Sequence, residues 1–255
     1  MAVLGVLTCE ILELEFAHLL ATDPEVARVS VLEDSRSAHL IEALASEDAN
    51  SLRRLSELTA FNPDPELKLE VLVRVLELAL HNRKKTLQEG LVEAACEMSP
   101  RVDALLLGYG LCGNALESPE DLLSEAGVPI FIPMDQGHPV DDCVGLIMGG
   151  RECYYGELCN VAGTFFMIPG WSVHWKRMFE QDFGRLSIDM AKRLFKHYER
   201  SLLISTPIMS EDRMSQNVRE FNKLFGFREE ACEGTLSILN DTWTKAKALL
   251  NANDD

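Results

Sequence analysis

The stretch that decides the fold is AVLGVLT at residues 2–8, which Cys9 and a segment of helical periodicity follow directly. The stretch is short, apolar and rich in residues that favour strands, so we predict a buried strand. Apolar residues then recur at helical spacing, and Glu10 and Glu13 suit the first turn of a helix, where the helix dipole favours negative charge. Cys9 is therefore expected at a strand-to-helix junction.

The same alternation of strand and helix continues along the chain. Further strands are predicted at residues 29–32, 102–107, 128–132, 164–168 and 202–205. Helices are predicted at residues 38–45, 67–80, 86–98, 143–148, 175–200 and 213–224. This alternation is typical of an α/β fold with a mostly parallel central sheet and helices on both faces.

The length of 255 residues predicts a single α/β domain over residues 1–255, because it is enough for one full hydrophobic core. Residues 46–65 are polar and end in Asn-Pro-Asp-Pro, which predicts an internal linker. A helical embellishment is expected around residues 48–99. Its helix at residues 67–80 carries apolar side chains on nearly every side, so it is expected to be covered on more than one face, by the sheet and, in the case of a homodimer, by a partner subunit.

The composition excludes several classes of protein. The formal net charge is -17, from 41 acidic and 24 basic residues, and this repels nucleic acid and anionic membrane surfaces. No stretch approaches the roughly 20 apolar residues that a membrane span needs, and no targeting segment is recognised, so we expect a cytoplasmic protein. The seven cysteines are an odd number scattered through the chain, which favours reduced thiols over a disulfide framework.

Three cysteines follow predicted strands, namely Cys9, Cys112 and Cys143. In a parallel sheet the loops at the carboxyl ends of the strands meet in one crevice, so we predict that these thiols converge. Thiolates are the ligands of iron–sulfur clusters and of zinc, and the sequence therefore predicts an iron–sulfur cluster, or alternatively zinc. No C-x-x-C pair supports this, and the alternative is that the three cysteines are packing residues.

Local features around these cysteines favour the metal-binding interpretation. Gly108, Gly110 and Gly113 allow unusual backbone angles and the close approach of a ligand or cluster, and their amides could donate to sulfur. The helix that starts after Cys9, and the one that starts at Cys143, would lower the pKa of a thiol at their N-termini.

The other four cysteines receive different predictions. Cys153 and Cys159 are expected to flank the pocket, although either could supply a fourth ligand. Cys96 and Cys232 are expected to be packing residues.

Five residues near the predicted strand ends are candidates for binding substrate: Tyr109, Asn114, Arg151, Glu152 and Trp171. Tyr109 and Asn114 border Cys112 and could donate hydrogen bonds. Arg151 could grip a carboxylate or phosphate with two hydrogen bonds, while Glu152 could orient it or move a proton. Trp171 could form a wall of the pocket. No residue is assigned to catalysis, and no nucleotide-binding motif is present in the sequence.

The segments LGYGLCGN at residues 107–114, Asp-Cys at 142–143, GGRE at 149–152, Gly-Thr at 163–164 and Pro-Gly-Trp at 169–171 resemble an uncharacterised family. This family is domain of unknown function 1638, found in anaerobic archaea and bacteria. The resemblance spans nearly the whole chain, including a cysteine after the first strand. The segment before the Asp-Cys pair, at residues 137–139, is longer than in the family pattern. This difference argues against a role for His138.

The resemblance also implies a metabolic setting. The family resembles proteins encoded near corrinoid-dependent methyl-transfer systems, which implies a role in anaerobic one-carbon metabolism. A corrinoid protein or a methyltransferase becomes a possible partner.

Three functions are compatible with these observations. The first is a metal- or iron–sulfur-dependent enzyme, a lyase or transferase, that acts on a small-molecule substrate in anaerobic one-carbon or sulfur metabolism. The second is a zinc-thiolate methyltransferase linked to corrinoid methyl transfer. The third is a non-enzymatic accessory protein that docks on a methyltransferase or corrinoid protein through its acidic surface.

Overall fold

The structure of the chain is a computed structural model, which describes residues 1–47, 51–78, 83–112, 115–116, 118–184 and 187–252. The chain forms two compact units. The first unit comprises Met1–Cys143 and Ser237–Asp255, and the second comprises Val144–Leu236. Compactness does not show that a unit folds alone, so the single domain expected over residues 1–255 stays a prediction.

The first unit is built around a six-stranded parallel sheet. Its strands are β1 (Ala2–Cys9), β2 (Arg28–Leu32), β3 (Leu52–Leu55), β4 (Leu69–Leu76), β5 (Ala104–Gly108) and β6 (Ile130–Phe131). They lie in the order β3-β2-β4-β1-β5-β6, and every neighbouring pair is parallel. A short antiparallel hairpin follows, formed by β7 (Met134–Asp135) and β8 (His138–Pro139). The α-helices of this unit are α1 (Glu13–Thr22), α2 (Ala38–Ser46), α3 (Lys84–Met98), α4 (Pro119–Leu122) and α10 (Ser237–Ala252).

The predicted first strand is confirmed and extends by one residue to Cys9. All eight residues of β1 are buried, and the strand pairs with β4 on one side and β5 on the other. An apolar sequence suits this position, because both faces of a central parallel strand are covered.

The predicted helix at residues 67–80 is wrong, because this segment contains the strand β4. Val71, Val73 and Val75 are buried β-branched residues that suit a strand, and Leu72 between them is also buried. A short run that is apolar on every side does not distinguish a buried helix from a buried strand by periodicity alone. The expected homodimer loses the observation on which it rested, since the apolar side chains of β4 are already buried within the chain.

In the described part of the helical embellishment expected around residues 48–99, a short 3-10 helix spans Leu58–Ala60 and an α-helix stands at the end of the region. Within the described part of this region, β3 falls in the predicted linker and β4 crosses the middle of the sheet. Its α-helix is α3, which confirms the helix predicted at residues 86–98.

The second unit contains a three-stranded parallel sheet. Its strands are β9 (Thr164–Met167), β10 (Arg200–Ser205) and β11 (Arg228–Glu233), in the order β11-β10-β9. Its helices are α5 (Cys143–Met148), which starts at the last residue of the first unit, α6 (Arg151–Asn160), α7 (Pro169–Phe183), α8 (Ile188–Leu194) and α9 (Glu211–Phe225). The prediction of α5 is confirmed at both ends.

The single helix predicted at residues 175–200 is wrong. Two helices, α7 and α8, stand there, and Arg200 already belongs to β10. Gly184 follows α7, and Ser187 caps α8 by accepting a hydrogen bond from the N–H of Met190 at 3.3 Å.

The predicted fold class is confirmed as an α/β fold with a parallel central sheet and helices packed around it. Neither β11 nor α10 was predicted from the sequence. Among the described residues, no helix combines the length and the apolar character that a membrane crossing requires.

Candidate metal centre

Cys9 and Tyr109 lie where the chain leaves the central sheet in opposite directions. β1 ends at Cys9, and the neighbouring strand β5 ends at Gly108, just before Tyr109. After β1 the chain runs to β2 on one side, whereas after β5 it runs to β6 on the other side. Such a reversal opens a crevice at the carboxyl ends of parallel strands, and ligands bind in crevices of this kind. We call it the switch-point crevice.

The loop after β5 packs directly on the segment that leads to Cys143. A Cβ atom added to Gly110 would stand 2.7 Å from the Cα of Asp142 and 2.8 Å from the carbonyl oxygen of Val140. No side chain fits there, so the two backbones touch. Cys112 and Cys143, close to these contacts in the chain, are thereby brought to the same crevice.

Gly108 permits a second close approach, at the end of β5. A Cβ atom there would lie 2.3 Å from both Oγ1 of Thr8 and Cε2 of Phe16. Gly108 and Gly110 thus permit close packing against the chain's own residues, and the predicted approach of a ligand or cluster to them stays a prediction. Gly113 lies outside the described residues.

Cys112 has an unusual backbone conformation. Its φ angle is +49°, in the left-handed region that L-residues other than glycine, asparagine and aspartate seldom adopt. The conformation costs about 1–2 kcal/mol relative to an ordinary one. Strain of this kind persists where the surroundings hold a residue in place, often at functional sites.

The three thiols influence one another electrostatically. Burial raises the pKa of the Cys9 thiol to about 12. Burial and then the charge of Cys9 raise the pKa of Cys112 to about 12. Burial, followed by the charges of Cys112 and Cys9, holds the pKa of Cys143 well above its usual range. Cys9 is buried while the other two are half-buried, and the charge of Cys9 disfavours ionisation of both Cys112 and Cys143. We call them the three-thiol site.

A backbone N–H group opposes this rise at each sulfur. The amide of Ile11 lowers the pKa of Cys9, the amide of Gly110 lowers that of Cys112, and Cys143 receives the same effect from its own amide. A hydrogen bond to sulfur favours the thiolate form. Every thiol of the site is therefore provided with one amide that would stabilise it as a ligand.

The hydroxyl of Tyr109 is buried beside these thiols. The side chain is 3% exposed, and its oxygen has no hydrogen-bond partner of standard geometry among the described residues. It is nevertheless close enough to Cys9 to lower the pKa of that thiol. Burial, followed by the charges of Cys9, Cys112 and Cys143, holds the pKa of Tyr109 well above its usual range.

Three glutamates next to Cys9 are buried, which the sequence did not predict. Glu10, Glu13 and Glu15 are each at most 1% exposed. The carboxylate of Glu10 accepts a hydrogen bond from the N–H of Leu78 at 2.8 Å. Both oxygens of Glu15 lack a partner among the described residues, and burial, with the charge of Glu13, raises the pKa of Glu15 to about 8. In the sequence, the only indication of this burial is that the three glutamates lie among apolar residues.

The three thiols lie at one crevice, but their side chains are not arranged as metal ligands. Within the described ranges, no three or more histidine, cysteine, aspartate or glutamate side chains are arranged to hold a metal ion. A cysteine side chain has three staggered χ1 positions, so each sulfur can turn while its backbone stays in place. The assignment of Cys9, Cys112 and Cys143 as ligands stays a prediction.

The predicted substrate-binding residues are distributed over both units. Tyr109 lies in the switch-point crevice, and Asn114 lies outside the described residues. Arg151 and Glu152 are exposed in the first turn of α6, in the second unit. Trp171 lies in α7 of the same unit and packs edge-on against two phenylalanine rings, with centroid separations of 4.8 and 5.0 Å. These contacts give Trp171 a packing role, and its role in binding stays a prediction.

The remaining cysteines lie elsewhere in the two units. Cys153 and Cys159 are exposed on α6. Cys96 lines a surface cavity of about 460 Å³ in the first unit, and Cys232 lines one of about 460 Å³ in the second. Burial raises the pKa of Cys232 to about 11. Both are half-buried, and so less enclosed than the expected packing role suggests.

The fold and the crevice define an α/β protein with a parallel sheet and three thiols at the carboxyl ends of its strands. A family model described as "Protein of unknown function (DUF1638)" matches residues 75–243, more than half of the chain. The chain belongs to this family, which confirms the predicted membership. The matched residues include Cys112 and Cys143, whereas Cys9 precedes them, so the family character of Cys9 stays a prediction. A comparison with curated proteins gives no match.

Proposed function

We propose that the protein is a metal- or iron–sulfur-dependent enzyme acting on a small molecule, with Cys9, Cys112 and Cys143 as the metal ligands. The observation that carries this proposal is the meeting of three thiols at the switch-point crevice. They come from three separate segments of the first unit, and the charge of Cys9 raises the pKa of Cys112 while the charges of both raise the pKa of Cys143. Scattered packing cysteines would have no reason to converge there.

The donor set suits a soft metal. Thiolates select zinc and iron–sulfur clusters over magnesium or calcium. Three protein ligands leave one coordination position open, and a metal bound there would supply a Lewis acid for a thiol, hydroxyl or carboxylate of the substrate.

The chain's own groups control how such a metal would bind. Because their pKa values are raised, the thiols are protonated at neutral pH and must lose their protons to a metal. Metal affinity should therefore rise with pH. The amides of Ile11 and Gly110 would then stabilise the resulting thiolates.

Binding also requires the side chains to move. The described thiols are not arranged as ligands, so the sulfurs of Cys112 and Cys143 would turn about χ1 toward that of Cys9. The contact of Gly110 with Asp142 keeps the two loops together during this change.

The metabolic setting of the proposal rests on the family. Membership, together with the resemblance to proteins encoded near corrinoid systems, supports a cytoplasmic role in anaerobic one-carbon or sulfur metabolism. Arg151 and Glu152 are proposed to bind an anionic group of the substrate. The net charge of -17 supports a second candidate, an accessory protein that docks on a basic surface of a methyltransferase or corrinoid protein.

Anaerobic purification with metal analysis tests the proposal. A brown protein that contains iron and sulfide supports the iron–sulfur enzyme, whereas one colourless zinc per chain supports the zinc-thiolate methyltransferase. Absence of both metals, combined with failure to take up zinc or to accept a reconstituted cluster, would overturn the metal centre and leave the accessory role.

Matched variants locate the site. Cys9→Ser, Cys112→Ser and Cys143→Ser should each abolish most of the bound metal, because each removes one of three ligands. Cys96→Ser and Cys159→Ser are controls that remove thiols outside the three-thiol site. Equal metal content in all five variants would show that the metal binds elsewhere.

A further inference from the structure

In the second unit, Arg200 joins the helix α6 to the strand β11. Its Nη2 atom donates to Oε2 of Glu157 on α6 at 2.6 Å, and its Nη1 atom donates to Oε2 of Glu230 on β11 at 2.5 Å. The ring of Tyr154 on α6 packs against that of Phe166 in β9, with centroids 4.9 Å apart. Helix α6 therefore lies on the face of the sheet that carries Arg200 and Glu230.

The same contacts give the direction of α6. Arg200 pairs in register with Thr164, which comes two residues before Phe166 in β9. Glu157, by contrast, comes three residues after Tyr154 in α6. A step back along the helix is thus a step forward along the strands, so α6 runs antiparallel to β9, β10 and β11.

This arrangement brings Cys153 of α6 towards Cys232 of β11. Cys153 lies four residues before Glu157, on the same face of the helix and about 6 Å along its axis. Cys232 lies two residues after Glu230, on the same face of the strand and about 7 Å further along it. Because α6 and β11 run in opposite directions, both steps lead the same way from Arg200. The charge of Cys153 also contributes to the raised pKa of Cys232.

Both thiols are free and can be reached from solvent. Cys153 is exposed, whereas Cys232 is half-buried and lines the surface cavity of about 460 Å³ in the second unit. Every residue of α6 is at least partly exposed, so this helix can shift on the sheet with little loss of packing.

We propose that Cys153 and Cys232 form an oxidisable pair, which a hydroperoxide converts into a disulfide between α6 and β11. The sulfur of Cys153 attacks one peroxide oxygen, the O–O bond breaks, and Cys153 becomes a sulfenic acid while water or an alcohol leaves. The sulfur of Cys232 then displaces the sulfenic hydroxyl group, which leaves as water with the thiol proton. The two thiols together supply the two electrons that reduce one hydroperoxide.

Exposure sets the order of these two steps. Cys153 meets the hydroperoxide first because it is the exposed thiol of the pair. Cys232 stays protonated at neutral pH, since its pKa is raised to about 11, and a thiol reacts with peroxide as its thiolate. Neither residue belongs to the three-thiol site, so the pair does not depend on the proposed metal centre.

Peptide mapping after oxidation tests the pair. The reduced full-length protein is treated with an equimolar amount of hydrogen peroxide, its remaining thiols are alkylated, and trypsin is added without reductant. Trypsin cleaves after lysine and arginine, so Cys153 falls in the peptide 152–176 and Cys232 in the peptide 229–245. The first peptide also contains Cys159, and the same digest of Cys159→Ser removes this ambiguity.

The two peptides should appear as one linked species in the wild type and in Cys159→Ser, lighter by two hydrogens than their sum. Dithiothreitol should separate them, and the number of free thiols should fall by two per chain. Cys153→Ser changes an exposed position and should lose the link without loss of fold. Cys232→Ser should instead hold the sulfenic acid on Cys153, where dimedone labels it.

Several results would overturn the proposal. Absence of the linked peptides from both the wild type and Cys159→Ser would do so, as would a link that joins two chains, or one that forms through Cys159. Dimedone labelling of Cys232 in Cys153→Ser, without labelling of Cys153 in Cys232→Ser, would contradict the order of the two steps. Failure of the protein to bind metal leaves these outcomes unchanged, because the link requires only the two thiols and the oxidant.

Discussion

Two regions that bury ionisable groups handle their charges in opposite ways, the Arg200 cluster of the second unit and the switch-point crevice of the first unit. In the second unit Arg200 is 4% exposed, and its guanidinium donates to carboxylates of Glu157 at 2.6 Å and Glu230 at 2.5 Å. It also donates to Oγ1 of Thr164 at 2.8 Å. In the first unit the buried groups at the switch-point crevice are all acids, namely thiols, a phenol and carboxyl groups.

The pKa shifts express this difference. Burial opposes the charge of Arg200, but hydrogen bonds to Glu230 and Glu157 raise its pKa overall, and the pKa of Glu230 is lowered in return. At the crevice, burial and like charges raise the pKa values of Cys9 and Glu15, which disfavours their charged forms. In a cluster that contains positive and negative groups, the charges compensate one another. A cluster of acids is stable when its members are neutral or when a cation binds to it.

The largest effect on the free energy of unfolding should come from removing the cation of the Arg200 cluster. Arg200→Met should lower the free energy of unfolding by about 3–5 kcal/mol, because it removes the charge-assisted hydrogen bonds that the buried guanidinium makes to the half-buried carboxylates of Glu157 and Glu230. Urea unfolding measures this change. Arg228→Met is the control, since Arg228 is exposed and pairs with the same Glu230, and it should cost less than about 1 kcal/mol. Equal losses of unfolding free energy in Arg200→Met and Arg228→Met would contradict the difference drawn between the buried and the exposed arginine.

A smaller effect on stability should follow from replacing the buried acid Glu15 by a neutral side chain. In the folded protein, the pKa of Glu15 is raised to about 8 from a usual 4.5. Between these two pH values, the folded chain therefore keeps a proton on Glu15 that the unfolded chain has lost. Wild-type stability should therefore fall as pH rises from 5 to 8, by about 3 kcal/mol from this group. Glu15→Gln should remove this fall.

The measurement for Glu15 is the free energy of unfolding in urea at pH 5, 6, 7 and 8. Glu42→Gln, at an exposed position of α2, is the matched control and should follow the wild type. Parallel curves for Glu15→Gln and the wild type would show that the carboxyl of Glu15 ionises freely in the folded protein.

The smallest effect concerns the strained backbone of the three-thiol site. Cys112→Gly should be more stable than Cys112→Ala by about 1 kcal/mol, because only glycine adopts a φ of +49° without cost. Thermal unfolding of both variants measures the difference. The same pair of substitutions at Gln136, whose φ is +48° in the turn between β7 and β8, should give the same order. Equal stability of Cys112→Gly and Cys112→Ala would mean that the backbone relaxes.

Local patterns predicted much of the fold. β1 and α5 were predicted because each is bounded by clear signals, an apolar run in one case and a start after two aspartates in the other. β4 was mistaken for a helix because a strand buried on both faces shows no alternation. β11 was missed because it carries four charged residues, and four of its six residues are exposed.

The candidate site was predicted in outline only. The rule that loops meet at the carboxyl ends of parallel strands was enough to group Cys9, Cys112 and Cys143. It could not show that Glu13 and Glu15 are buried, because charged residues early in a helix are usually exposed to solvent. Nor could it show that Tyr109 is buried.

The central position of β1 makes the three sulfurs unequal in mobility. Hydrogen bonds hold this strand to β4 on one side and to β5 on the other, so Cys9 can shift only when the sheet itself opens. Cys112 stands on a loop, and loops open locally at far lower free energy than core strands do. At the proposed metal centre an incoming ligand would thus meet one fixed sulfur and one adjustable one, so that Cys9 would set the location and the loop of Cys112 would set the fit.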